Sequence, residues 1–412
     1  MNKPTTSTMN RRQFLKTLLA GALATAAGVG HRSIAFGNST RQVEPPRPVY
    51  LPMVGNASTA VGNRPLVVHV HAPAVTDWIF DRSRYYGRTQ APGVQGVSQA
   101  VVDAMLDRGV TALFGLPVTA IAEAWRRLTP DYTPGKRIAI KINLNNSFDC
   151  SSDTDAIDAI AQPLNAVVRG LKLRGVREQD ILAYDAIRWF PSRLYAELAY
   201  PEIEIHDRGC HGTPETFDSS DPDARLQFFP PSGGLPEVRL CDTLIEADYL
   251  INMPILKGHP LAGVTLGFKN HFGSTDNPSG MHTHTSTSYP DIDHYNALVD
   301  LFSNPHIRYK TALTIGDGIY GSREHQDTPP QPWSTFGGGS PCSLFFATDP
   351  VAIDCVMHDL LKAERGSSQP ATSGEYLRLA GGAGLGVYES GDPWALPYGS
   401  GYTYINYQRI EL

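Results

Sequence analysis

The sequence predicts an α/β fold, a mainly parallel sheet with helices on both faces and loop-rich insertions. Two observations point there. Short β-branched and aliphatic runs alternate along the chain with stretches of helical periodicity, the pattern of βαβ units. The run Arg137-Ile138-Ala139-Ile140-Lys141-Ile142-Asn143-Leu144 is apolar on both faces at its centre, as a buried parallel strand must be. No internal repeat of solenoid period competes with this reading.

The elements follow in order. Leu66–His71 is β-branched and reads as the first strand. Helical patterns cover 97–108, with Gly109 as the stop, and 117–128. The strand at 137–144 comes next, then a long amphipathic helix over 155–174. Further strands are expected at 181–185, 203–207 and 249–254, separated by a Gly/Pro/Asp/Ser-rich insertion at 208–236. A helix is expected over 263–272, a Gly/Ser/Thr/His loop over 273–290 and a helix over 292–302. The strand at 312–318 runs into a turn at Asp317-Gly318, and 321–341 is a polar loop. Ser343–Ala347 is a short strand before a helix from Pro350 to about Lys362. The division is therefore 1–35, 36–64, an α/β domain at 66–365 with a split into two subdomains near 248, and an irregular extension at 366–412.

Segment 1–35 reads as a signal peptide. Asn10-Arg11-Arg12-Gln13-Phe14-Leu15-Lys16 is a twin-arginine motif at the head of an apolar stretch over 18–29, and Ser33-Ile34-Ala35 offers small residues for cleavage. The stretch is too short and too rich in Gly and Ala for a stable membrane span. The expected partner during export is the twin-arginine translocation machinery, and the expected location is periplasmic or extracellular. Residues 36–64 form a flexible Pro/Gly/Asn-rich linker.

Composition narrows the function. Hydrophobic residues are 41% and charged residues 18%, a globular balance. With 35 Lys+Arg against 41 Asp+Glu, no basic excess supports nucleic-acid binding. The 5 cysteines contain no C-x-x-C pair, so no iron–sulfur cluster is expected. Cys210 and Cys241 flank a loop-rich segment and could pair, while Cys355 lies in an apolar helix and reads as a buried small hydrophobe. No G-x-x-x-x-G-K-[ST] or G-x-G-x-x-G motif is present, so no nucleotide is expected.

The candidate site residues fall at strand ends, where open α/β sheets place their ligands. Lys141 and Asn143 close one strand, two apart and on one face. Asn252 closes the next, with Lys257-Gly258-His259 behind it. Lys269 and Asn270 stand on the expected helix at 263–272. Lys141 lies in apolar surroundings and needs a carboxylate, a ligand anion or water; as an ion pair its candidate partners are Asp317 and Asp354. Asp349 before Pro350 reads as a helix N-cap. Asp354 is four residues before His358 and pairs with it or with a lysine. His282-x-His284, in an extended loop, points both imidazoles one way, and with Asp317 and Asp354 supplies ligands for a divalent metal.

Ile140-Lys141-Ile142-Asn143, Ile251-Asn252-Met253-Pro254-Ile255-Leu256-Lys257-Gly258-His259, Gly263-Val264-Thr265-Leu266-Gly267-Phe268-Lys269-Asn270 with Gly273, Asp317-Gly318-Ile319 and Asp349-Pro350-Val351-Ala352-Ile353-Asp354 together resemble the domain-of-unknown-function family 362 (DUF362). The resemblance spans roughly 66–365 and implies a shared core without an assigned activity. Many family members carry ferredoxin-type cysteine clusters, which this exported, twin-arginine-signal chain lacks.

The residues point to an exported enzyme acting on a small anionic substrate, with a divalent metal as the candidate cofactor. Lys141 and Lys257 with His259 are the expected catalytic groups, His259 as acid or base. Asn143, Asn252, Lys269 and Asn270 would hold the substrate. The alternative is an extracytoplasmic protein that binds an anion or metal without chemistry.

Overall fold

A computed structural model describes residues 64–151, 155–231, 234–324 and 328–412. The expected signal peptide and all but the last residue of the expected linker lie outside them. Among the described residues no helix is long and apolar enough to cross a membrane.

Among the described residues eleven strands join one sheet. In chain order they are β1 Leu66–His71, β2 Ile138–Lys141, β3 Ile181–Tyr184, β4 Glu204–Asp207, β5 Thr213–Pro214, β6 Tyr249–Asn252, β7 Ile255–His259, β8 Gly263–Thr265, β9 Thr311–Ser322, β10 Ser343–Ala347 and β11 Asn406–Glu411. The spatial order is β11-β1-β10-β9-β6-β2-β3-β4-β5, with the β7–β8 hairpin leaving β9. From β9 through β6 and β2 to β5 every neighbour is parallel, whereas β10 runs antiparallel to both β9 and β1. The fold is thus α/β with a mostly parallel, mixed sheet. Strands from both sides of residue 248 interleave in it.

Side chains alternate across each strand, so each strand feeds two cores. Ile138 and Ile140 pack with the helices Gln99–Ala112, Ile121–Leu128 and Ala161–Arg174. Ala139, Leu250 and Phe345 face the other way, against Ala297–Ser303, Pro350–Arg365 and Glu375–Gly382. Each fully buried Ile, Leu or Phe contributes about 1.5–3 kcal/mol. The capping chemistry matches the sequence. Asp349 accepts from the amides of Val351 and Ala352, both at 2.9 Å, at the start of Pro350–Arg365. Ala161–Arg174 ends at Gly175, whose φ of 100° is left-handed, with the Val176 amide returning to the Leu171 carbonyl.

Several expected boundaries move. The helix expected from 155 begins at Ala161, and 155–160 is irregular. The stretch 263–272 is not one helix: Gly263, at φ 80°, opens β8, and a single turn Gly267–Asn270 follows before a 3-10 turn His271–Ser274. The helix expected over 292–302 is confined to Ala297–Ser303. Asp317 does not end its strand, because pairing with β7 and β10 carries β9 on to Ser322. The C-terminal segment, expected to be irregular, ends in β11, which runs parallel to β1 and is tied to it by a 2.6 Å hydrogen bond between His69 Nδ1 and the Tyr407 hydroxyl. Cys210 pairs with Cys150, not with Cys241, which is buried and unpaired. Cys355 is buried, as its helical setting implies.

Candidate functional site

Strand order locates the site. From β2 the chain steps outward through β3, β4 and β5, then returns to place β6 on the opposite side of β2. A reversal of this kind opens a crevice beyond the carboxyl ends of the two strands. Those ends are Lys141 on β2 and Asn252 on β6, directly paired in register.

Lys141 is completely buried, and its Nζ lies 3.0 Å from Asp185 Oδ2, with the Ile142 carbonyl as a second acceptor. Its partner is therefore Asp185, just past β3, and neither Asp317 nor Asp354. Asp185 also accepts from the amides of Leu144 and Ile187. Gly273 closes over the pair, for a Cβ there would stand 2.6 Å from Lys141 Nζ and 2.7 Å from Asp185 Oδ2. A desolvated pair of this sort holds together only when its remaining donors and lone pairs are met, as they are here.

The three asparagines bind one another. The Asn270 amide nitrogen donates to Asn252 Oδ1 at 2.8 Å and to the Lys141 carbonyl at 3.3 Å. Its oxygen accepts from Asn143 Nδ2 at 3.0 Å and Lys141 Nζ at 3.5 Å. Asn252 Nδ2 in turn donates to the Gly267 carbonyl at 2.9 Å. All four hydrogen-bonding positions of Asn270 are thereby used within the protein. The asparagines pin the turn Gly267–Asn270 onto the ends of β2 and β6. Asp354 anchors the same turn from the other side, accepting from the Gly267 and Phe268 amides at 2.8 and 3.1 Å and from the Tyr376 hydroxyl at 3.1 Å. Burial pushes its carboxyl up to about 7 against the pull of these donors. Among the described residues Asp354 bonds neither a lysine nor His358, which bonds Ser373 instead.

The remaining groups are Lys257, Lys269, His259 and His282. Lys257 is completely buried on β7 and donates to Asn143 Oδ1 at 2.9 Å and to the Ile157 carbonyl at 3.4 Å. Lys269 is 6% exposed. Its Nζ stands 3.6 Å from the centre of the Phe272 ring, and among the described residues it has no hydrogen bond or ion pair. Burial, then the charge of Lys257, brings its amine down to about 7. The opposite side of this group is lined by imidazoles, for His282 lies 5.1 Å from Phe272 and 5.9 Å from His259 between ring centroids. Burial and Lys269 push His282 down to about 4. His259 Nδ1 accepts from the amides of Leu261 and Ala262, both at 3.1 Å. The neutral ring therefore carries its hydrogen on Nε2.

The expected metal ligands do not converge. Thr283–Thr285 is a 3-10 turn capped by His282 rather than an extended loop; His282 stacks towards His259 and Phe272, whereas His284 packs on Tyr289 and Tyr295. Asp317 lines a small space with Asp158, Tyr86 and Tyr320, and burial pushes its carboxyl up to about 7. Among the described residues no three His, Cys, Asp or Glu side chains could together hold a metal.

Two acids escaped the sequence reading. Asp185 carries the same signal as the chosen residues, a polar group at a strand end. Asp158 accepts from Ser147 at 2.7 Å and pairs with Arg193 at 3.3 Å. It was hidden inside the overlong helix 155–174; Pro163 was the available cue, since proline belongs to a helix's first turn.

No curated protein matches the chain. The family described as Domain of unknown function (DUF362) matches residues 138–359, from the first residue of β2 to within the helix Pro350–Arg365. That span is more than half of the 412 residues and contains every site residue described above, so the chain belongs to the DUF362 family.

Proposed function

We propose that this protein is an exported enzyme acting on a small anionic substrate, taken up between Lys269, Lys257 and His259 at the ends of β2, β6 and β7. The observation that carries the reading is Lys269, a buried ammonium beside a second lysine and without a counter-ion among the described residues. Such an arrangement is costly unless an anion joins it. Lys141, satisfied by Asp185, and the asparagines position the site, and His259 is its acid or base. The twin-arginine segment supports the exported setting.

Titration calorimetry with oxalate and with inorganic phosphate tests it. Binding of one anion per chain, weakened at least about tenfold in Lys269→Met, is the expected result. Failure of both anions to bind overturns the reading. His259→Ala separates catalysis from capture: in an enzyme it abolishes turnover and spares binding. A wild-type protein that binds anions but consumes none of a panel of small carboxylates, followed by proton NMR, is the capture protein instead.

A further inference from the structure

We propose that the Lys269 amine forms an imine with the carbonyl carbon of a small oxo acid. The inference rests on the anion site just described and names its substrate class.

A lysine used only as a cation is normally met by acceptors that satisfy its ammonium hydrogens. Lys141 and Lys257 are of that kind. Lys269 is held differently. Its neighbours are the Phe272 face at 3.6 Å, the second ammonium of Lys257 and the imidazole of His282. Among the described residues none of these accepts a hydrogen bond from the amine, and none carries the negative charge of a carboxylate. An apolar wall together with an adjacent cation is the setting that leaves a lysine neutral and nucleophilic. With the amine lowered from 10.5 to about 7, its neutral fraction at pH 7 rises by about three orders of magnitude over an exposed lysine.

Position supports the same step. Lys269 sits between Phe268, whose amide is held by Asp354, and Asn270, whose side chain is fully engaged. The backbone beneath the amine is therefore fixed at both sides, which limits the entropy lost on attack. The cationic surroundings select a carboxylate, and an adjacent carbonyl supplies the electrophile, hence an oxo acid. In the step the Nζ lone pair forms the C–N bond and the carbonyl π pair moves to oxygen. The C–O bond then breaks. Both amine hydrogens leave with that oxygen as water, and the imine remains, with no change in oxidation state.

The test is reductive trapping on the full chain, with glyoxylate and sodium cyanoborohydride at pH 7, read by intact mass and peptide mapping. One adduct at Lys269, formed at least about a hundredfold faster than at surface lysines, is expected from its larger neutral fraction. Lys269→Arg and Lys269→Met lose that adduct while retaining a cooperative thermal transition. In Lys257→Met the pH midpoint of Lys269 labelling moves up from near 7, because the repelling charge is gone. Adducts spread over surface lysines with Lys269 unlabelled overturn the proposal. Oxalate binding without trapping overturns the imine and leaves the anion site standing. Absence of both overturns the imine and the anion site together.

Discussion

Replacing Lys269 with methionine tests the central cost in this site. Methionine keeps the length and the contact with the Phe272 ring but removes the charge. The wild-type amine falls from 10.5 to about 7 on folding. At about 1.4 kcal/mol per unit, the folded protein disfavours the ammonium by up to about 5 kcal/mol. The sign follows from which state holds the proton. Below about 7 both states carry it, and the wild type bears the full cost. Between about 7 and 10.5 the unfolded chain keeps the proton while the folded chain has released it, so wild-type stability rises with pH. Above 10.5 both are neutral and the cost is gone. Lys269→Met is therefore expected to be more stable than wild type at pH 6, by an amount that shrinks towards pH 10. Asp317 and Asp354, also pushed to about 7, are present in both proteins and cancel in the difference. Urea unfolding at pH 6, 8 and 10 measures it, and oxalate at pH 6 should close the gap by stabilising only the wild type. A difference that stays flat across this range, or a wild type more stable than the variant at pH 6, would refute the reasoning.

The structural half of the site yields two further expectations. Asp185→Ala strands a fully buried ammonium on Lys141 and should cost about 3–5 kcal/mol in chemical unfolding. Adding Lys141→Met should recover much of that loss, and strictly additive losses would show the two groups to be uncoupled. Gly273→Ala drives a methyl group between Lys141 and Asp185 and should cost about 1–3 kcal/mol; an unchanged denaturation midpoint would mean that the closure over the pair is not tight.

The division between legible and illegible residues has a physical basis. Strand-end placement found Lys141, Asn143, Asn252, Lys257 and His259, because a polar residue that interrupts a buried apolar run is conspicuous and parallel strands bring their ends to one rim. The same rule contained Asp185, which was passed over for acids farther along the chain. Asp354 reads from the sequence as a buried acid that wants a cation, His358 or a lysine. That its partners are two backbone amides and a tyrosine hydroxyl leaves no trace in residue spacing. The backbone around His282 and His284 differs from the expected extended loop because an extended loop and a 3-10 turn share one polar composition, while the direction of a side chain depends on the backbone.

By itself the amino-acid sequence determined the α/β class, the family core and the rim on which the polar residues gather, since periodicity and strand-end polarity are local properties. Tertiary structure alone decided which lysine is paired with a carboxylate and which is not. That depends on contacts between segments as distant as Lys141 and Asn270, or Gly267 and Asp354. The amide chain absorbs the asparagines, Asp185 absorbs Lys141, and Lys269 is left against an aromatic ring with its charge unmet, because desolvation and partner supply are set by the packed neighbourhood and not by the residue's own place in the chain.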